Sequence, residues 1–485
     1  MPVVSKGVWP GGAHEHGMSK QETGGKTQPR PPKRSAARPL RIQRMPQNVS
    51  NRITTVPEEV TGQPRRVVAG ALSLRHTFAS LKHRNFRLFF IGQLVSLAGT
   101  WMQNTAQSWL VYQLTGSKLL LGIVAAIGSA PMLFFSILGG SVADRHPKRT
   151  VILFTQTGMM VLAFTFAALV WSGQVRPWHI MVLAALGGVA MAFDMPARQA
   201  FMVEMTSRED LMNAVSLNSS IVNGARVIGP AIAGLVMAQT NIAFCFLLNG
   251  LSFVAVIAGL LMMRLPAFTP PAKPVSTWQH ALDGFAYVAK HRRVRILLIL
   301  FGIVGVFGWS YSVLMPAFAA DILNAGEREY GILLSANGLG ALCGALTVAT
   351  FGQRIHRRLL IFGGLGLFSL MLLALAFTHS YYLALVCLAV GGWGMLLYFS
   401  TTNTLIQTSV ADEMRGRVMG IWALVFGGMM PLGGLEAGIL SHWLGVSRAI
   451  AVGAIVCGGA ALATWWFVRR TPGNDQSVAA TEGEG

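Results

Sequence analysis

Four ionisable residues fall inside long apolar stretches of this sequence: Asp194, Arg198, Arg226 and Glu436. A charge in such a setting is costly and usually faces a cavity or another charge. A carboxylate there can take up and release a proton when its surroundings change from wet to dry, or when a cation moves towards it. Asp194 and Glu436 are the two carboxylates placed for such proton coupling, with Arg198 and Arg226 as the cations that could modulate it. Asp194 and Arg198 are four apart and can pair on one helix face. Asp194 is therefore either a proton carrier or one member of a structural or gating pair. Glu436 is either a second carrier or a satisfied polar contact. In the first apolar stretch Gln93, Thr100, Asn104 and Gln107 fall within about 60° of one another on a helical projection. This uncharged stripe either lines a water-filled substrate cavity or bonds to a neighbouring helix, and with Arg226 it allows a polar or anionic cargo.

A different kind of site lies in the turn Gly140-Ser-Val-Ala-Asp144-Arg145-His-Pro147-Lys148-Arg149. Asp144 can sit against the positive end of a neighbouring helix or an arginine while the following cations stay in water, which makes an inside gate that locks and releases. The plainer alternative is a charged membrane anchor. Further on, Ala225, Gly229 and Ala233 are small and four apart, a groove that lets another helix approach closely. Pro230 lacks a backbone donor and bends its helix. No catalytic set appears. His14 and His16 lie near the N-terminus, and no His, Cys and acid cluster has metal-ligand spacing. The glycine-rich stretches lack the Gly-Lys-Ser/Thr ending of a nucleotide loop. An enzyme, a cofactor and a bound metal are not expected.

The elements that must position these residues follow from composition. Of 485 residues 53% are hydrophobic and 12% charged, far more apolar surface than a soluble core needs. A bilayer is the solvent that suits it, at roughly 20 apolar residues per crossing. Twelve apolar segments recur at about 88–112, 119–142, 150–171, 178–199, 213–238, 242–264, 296–319, 330–351, 359–378, 381–408, 417–440 and 447–468. Cys245, Cys343, Cys387 and Cys457 all lie within them and read as packing residues. The net charge of +20 does not point to nucleic acid, because residues 1–84 hold +11 of it and the rest sits in short loops. Counting the residues at segment ends, alternate connections and the C-terminus carry eighteen Lys and Arg; the other side holds Lys118, Arg176, Arg328 and Arg448. By the positive-inside rule both termini are cytoplasmic in an inner (plasma) membrane.

The expected organisation is a disordered basic tail (1–80), a six-helix bundle (81–264), a linker (265–295), a second six-helix bundle (296–468) and a cytoplasmic tail (469–485). In the linker, residues 278, 281, 282, 285, 288 and 289 have helical spacing and Lys290 to Arg295 follow, so an amphipathic helix should lie flat on the inner surface. The bundles also repeat. At an offset of 209 residues Asp144 to Arg149 aligns with Gln353 to Arg358, Asp194 with Asn403, Arg198 with Gln407, Glu204 with Glu413 and Arg208 with Arg417. At 204, Gly224, Gly229 and Gly234 fall over Gly428, Gly433 and Gly438. Asn403 and Gln407 thus keep the hydrogen-bonding shape of the first-half pair without its charge, and join the candidate cavity residues. Duplication of a helical half is the expected architecture of a rocking transporter.

The loop with Gly140, Asp144, Arg145, Lys148 and Arg149 resembles the signature between helices two and three of the major facilitator superfamily, with Pro147 where glycine is usual. Gly229, Pro230 and Gly234 are similar to that superfamily's exporter motif. The segments Phe193 to Phe201, Asn213 to Asn218 and Asp412 to Val418 resemble the branch of enterobactin-type siderophore exporters and macrolide efflux proteins. The resemblance implies an all-α membrane protein of twelve transmembrane helices in two pseudo-symmetric bundles. It also implies proton-coupled export of a small molecule, a siderophore, macrolide or other drug-like compound, by alternating access. A monomer in the lipid bilayer is expected, with protons and a small-molecule substrate as its partners. An importer or facilitator on the same fold, or a membrane sensor or scaffold that does not transport, are the competing readings.

Overall fold

Prolines, glycines and capping side chains cut the described chain into membrane-length helices; the computed structural model describes residues 79–207, 209–265 and 277–469. The first bundle comprises α1 (Arg84–Thr115), α2 (Lys118–Arg145), α3 (Lys148–Trp171), α4 (Pro177–Met205), α5 (Leu211–Gln239) and α6 (Ile242–Leu261). A short helix α7 (Thr277–Lys290) follows. The second bundle comprises α8 (Arg292–Ala317), α9 (Glu327–Phe351), α10 (Gly364–Phe377), α11 (Tyr381–Thr408), α12 (Asp412–Leu444) and α13 (Val446–Arg469). π-helical turns at Phe318–Ile322 and Leu359–Gly363 continue α8 and precede α10. Eleven of these helices are long and apolar enough to cross a membrane. The twelfth, α1, has 32 residues, and its glutamines and asparagine lower its hydropathy. The protein is an all-α membrane protein of two six-helix bundles. The tails, Arg208 and residues 266–276 lie outside the described residues.

Local chemistry sets the helix ends. Gly116 closes α1 at φ 58°, a left-handed conformation that costs glycine little, and its N–H bonds Tyr112 O. Ser117 then caps α2 by accepting from Leu120 N–H, and Asn241 caps α6 by accepting from Ala243 N–H. Pro147 acts the same way between α2 and α3. It forces His146 to be extended, which ends α2 at Arg145. Its own carbonyl accepts from Thr150 at 2.9 Å and Val151 at 3.2 Å, which starts α3.

The two bundles meet through glycines. A Cβ on Gly122 of α2 would come within 2.7 Å of Gly438 Cα on α12, and one on Gly331 of α9 within 2.7 Å of Gly234 Cα on α5. Gly331 is Gly122 moved on by 209, and Gly438 is Gly234 moved on by 204, so the two crossings are copies of each other. Both lie towards the ends of these helices remote from the basic loops. Nearer the basic loops, a Cβ on Gly140, Gly224 or Gly427 would meet nothing within 4 Å. Among the described residues, the contacts Lys148–Glu204, Arg149–Leu261 and Arg357–Thr408 there each lie within one bundle. The bundles are therefore closed at the cation-poor end and diverge towards the basic end.

Helix α7 forms over the residues whose spacing predicts a helix. It docks on the foot of α12, where Asp283 pairs with Arg417 at 3.0 Å and Gly284 sits against Arg417 O. Val288 is buried there, whereas Leu282 and Phe285 remain exposed. Only part of the expected apolar face is free for lipid, because a side chain packed on α12 is withdrawn from the bilayer.

Candidate functional site

The closed end is held by residues that periodicity alone does not single out. Tyr112 at the end of α1 donates to Asp321 Oδ1 at 2.6 Å, and Lys118 Nζ lies 3.1 Å from Asp321 Oδ2. Trp109 Nε1 donates to Glu327 Oε1 at 3.3 Å and its ring stacks on Tyr330, with centroids 5.1 Å apart. Each pair joins the first bundle to the second. The sequence separation of Tyr112 and Asp321 is 209, the offset of the repeat itself. That coincidence was the signal by which these residues could have been found.

At mid-depth the bundles share Arg226. Its guanidinium lies 5.8 Å from the Trp101 ring centroid on α1 and 5.3 Å from that of Trp309 on α8. Its Nη2 donates to Asn337 Oδ1 on α9 at 3.4 Å, and Tyr311 lies alongside. Ala225 and Ala233 are buried, and a Cβ on Gly229 would come within 2.5 Å of Trp101 Cβ and 2.8 Å of the Ala98 carbonyl oxygen. The small-residue groove thus seats α1, while Gly234, the residue after Ala233, seats α9. Further towards the closed end is Glu436 of α12. Both its oxygens are buried and neither has a hydrogen-bond partner. Ser310 is adjacent, but its hydroxyl is donated to Phe307 O at 2.8 Å. Between α2, α8 and α12 a cleft of about 130 Å³ is walled by Trp309, Ser129 and Gly433.

The α1 stripe does not present one uniform face. Gln93 is 2% exposed with Oε1 unpartnered, Thr100 is spent on Ser96 O, Gln107 is half-buried and Asn104 is exposed. Its neighbour Gln103, off the stripe, accepts from Asn249 of α6 at 2.7 Å. The stripe therefore divides between helix packing and open surface.

At the basic end, Asp194 is 1% exposed and fully engaged. It accepts from Thr155 Oγ1 at 2.7 Å, Gln156 Nε2 at 2.9 Å and Arg198 Nε at 2.7 Å, and Arg198 Nη2 also pairs with it. In the second bundle Gln407 Nε2 donates to Asn403 Oδ1 at 2.6 Å, the same i, i+4 contact without charge. Asp144, Arg145 and Pro147 are exposed, and among the described residues Asp144 has no ion-pair or hydrogen-bond partner. Of the cations after it Arg145 is in water as expected, whereas Lys148 and Arg149 are engaged. Lys148 is 2.7 Å from Glu204 of α4, and Arg149 Nη2 donates to Leu261 O, covering an orphan carbonyl at the end of α6. The close-packed glycine of this loop is Gly139, against Ala192 and Phe193, and not Gly140. At the start of α5, Asp210 is 2.7 Å from Lys82 and 2.8 Å from His83. The Lys82 ammonium, then the His83 ring, hold the Asp210 carboxyl down at about 2.

The profile of the transmembrane secretion effector family matches residues 75–481. The chain belongs to this family of major facilitator transporters. It is similar to the staphyloferrin A transporter of Staphylococcus aureus (strain NCTC 8325 / PS 47), 25% identical over 369 residues, 76% of this chain and 92% of that protein. It is 28% identical to the enterobactin exporter of Shigella boydii serotype 4 over 356 residues, 70% of this chain and 81% of that protein. A mutant form of the nucleoside transporter NupG superposes with a TM-score of 0.67 at 15% identity, covering 80% of this chain and 99% of that one. This last likeness establishes the fold alone. The protein is thus a multi-pass membrane transporter of a small molecule.

Proposed function

We propose that this transporter exports a small molecule of the siderophore or drug-like class by alternating access, driven by inward flow of protons, with Glu436 as the proton carrier. The observation that carries the reading is the pair of buried, unpartnered oxygens of Glu436. An ionised carboxylate without a donor is too costly in such a place, so the group holds a proton in this conformation and must rearrange to release it. Asp194, by contrast, has all its donors supplied and serves as a brace for α3, α4 and Arg198.

By the positive-inside reading the basic end is cytoplasmic, and the divergence of the bundles there makes this the inward-facing state. Cargo enters from the cytoplasm. Closure then requires the basic ends to meet and the Tyr112, Lys118 and Trp109 contacts of the opposite end to part. Asp144, free in this state, is the residue available to engage when the basic ends close. The names of the two relatives, an exporter and a siderophore transporter, favour outward movement and a siderophore-like cargo.

The test is proton-driven uptake into inverted vesicles across siderophores, macrolides, dyes and sugars, comparing wild type with Glu436→Gln and Asp194→Asn. The expected result is loss of proton-driven accumulation in Glu436→Gln with exchange of cargo retained. Full coupling in Glu436→Gln would remove it as carrier, and uphill movement in the opposite direction would make the protein an importer.

A further inference from the structure

Arg226 differs from the other arginines of the membrane interior in what surrounds it. Arg198 has Asp194. Arg226 has two indole faces, a 3.4 Å hydrogen bond to a neutral amide and Tyr311 alongside, and among the described residues no carboxylate within ion-pair distance. A guanidinium carries five N–H donors, and one is used here by a protein acceptor. Cation–π contact offsets part of the cost of keeping such a charge away from water, but it occupies the faces of the group and leaves its edge free. The counterpart of Arg226 at offset 204 is Met430, so the charge is not a requirement of the repeated scaffold.

We propose that Arg226 is an anion anchor, and that the cargo carries a carboxylate or comparable oxyanion which docks on the guanidinium edge between Trp101 and Trp309. This rests on the transport reading above and adds the chemical class of the substrate. A planar oxyanion makes two parallel charge-assisted bonds with a guanidinium edge, which the single amide oxygen of Asn337 does not. Trp101 belongs to the first bundle; Trp309 and Asn337 belong to the second. An anion that takes the place of Asn337 Oδ1 removes the one hydrogen bond between Arg226 and the second bundle and leaves the face contact with Trp309 in place. Trp309 also walls the cleft between α2, α8 and α12, and that cleft gives the rest of the cargo a neighbouring place to lie. Ser310, the next residue along α8, adjoins Glu436, so the anion position and the proposed proton position share one stretch of helix.

The experiment is equilibrium binding of radiolabelled citrate, tricarballylate and 2,3-dihydroxybenzoate to purified protein in nanodiscs, with the neutral methyl esters as controls. At least one anion is expected to bind saturably and its ester not to bind. Arg226→Gln should weaken that binding about tenfold or more, and Arg226→Lys, which keeps charge without the planar edge, by less. Asn337→Asp supplies an internal counter-ion and should abolish anion binding while the melting temperature is held or raised, a result that a purely structural arginine does not produce. Saturable binding of none of the anions to wild type, equal binding of anion and ester, or binding in Arg226→Gln within twofold of wild type overturns the proposal. Binding needs no transport. Anion binding that obeys these rules in a protein that moves no cargo would sink the transport reading and leave the anchor standing.

Discussion

Asp194 and Asn403 occupy the same position in the two bundles, and each meets the residue four further on. In the first bundle the contact is a buried ion pair with two more donors from α3; in the second it is one amide-to-amide hydrogen bond of 2.6 Å. The positions that supply Thr155 and Gln156 in the first bundle are Gly364 and Leu365 in the second, where Gly364 packs on Gly394 and Leu365 is fully buried. Backbone shape is thus repeated while polarity is not. Glu436 shows the reverse asymmetry, since its first-bundle counterpart is Ile232. The buried carboxylate that has all its partners is built into one half, and the one that has none is in the other. On the function proposed above, holding the fold and moving a proton fall to different copies.

This division predicts a graded set of outcomes. Asp194→Ala strands Arg198 and two donors and should cost about 3–5 kcal/mol, read as a fall in thermal stability in detergent. Asp194→Asn with Arg198→Gln rebuilds the second-half pair and should return to within about 1 kcal/mol of wild type with transport retained. Loss of transport in that stable double variant would instead make the Asp194 charge part of coupling. The opposite graft, Asn403→Asp with Gln407→Arg, places a charge where Gly364 and Leu365 offer no donor and should destabilise by about 1–3 kcal/mol. Glu436→Ile makes the halves alike at that position; it should be neutral or stabilising by about 1 kcal/mol while proton-driven export stops.

Smaller effects come from the ends. Tyr112→Phe removes one bond to Asp321, about 1 kcal/mol, and should raise the rate at which cross-links form across the basic end as the closed end loosens. At Asp210 the carboxyl is held at about 2 against an ordinary 3.8, so its contribution is present above that ordinary value and disappears as pH falls through about 2. The part of the difference in melting temperature between wild type and Asp210→Asn that comes from this carboxylate should therefore vanish over about the two units below pH 4.

Much of this was legible in the residues. Apolar runs gave the twelve crossings because a bilayer demands length and apolarity within each segment, a local property. The Asp194 and Arg198 contact was readable because a helix places i and i+4 on one face. What could not be read depends on other segments: Thr155 and Gln156 on Asp194, Trp101 and Trp309 on Arg226, and the lack of a hydrogen bond at Glu436 while Ser310 bonds Phe307 O. The stripe on α1 shows the same limit. Helical projection places Gln93 and Asn104 together, yet one is enclosed by neighbouring helices and the other is exposed. Pro147 is a local effect after all, for it ends α2 and begins α3.

The bond between Tyr112 and Asp321 has an implication for ancestry. The two residues are one position seen twice, 209 apart, so they face each other across the pseudo-two-fold axis. In a symmetric pair of identical chains, a residue on that axis meets its own copy: tyrosine would face tyrosine, or aspartate would face aspartate, with two like charges in opposition. A tyrosine and an aspartate can face each other there only when the two halves have different sequences, so this latch depends on the halves having diverged.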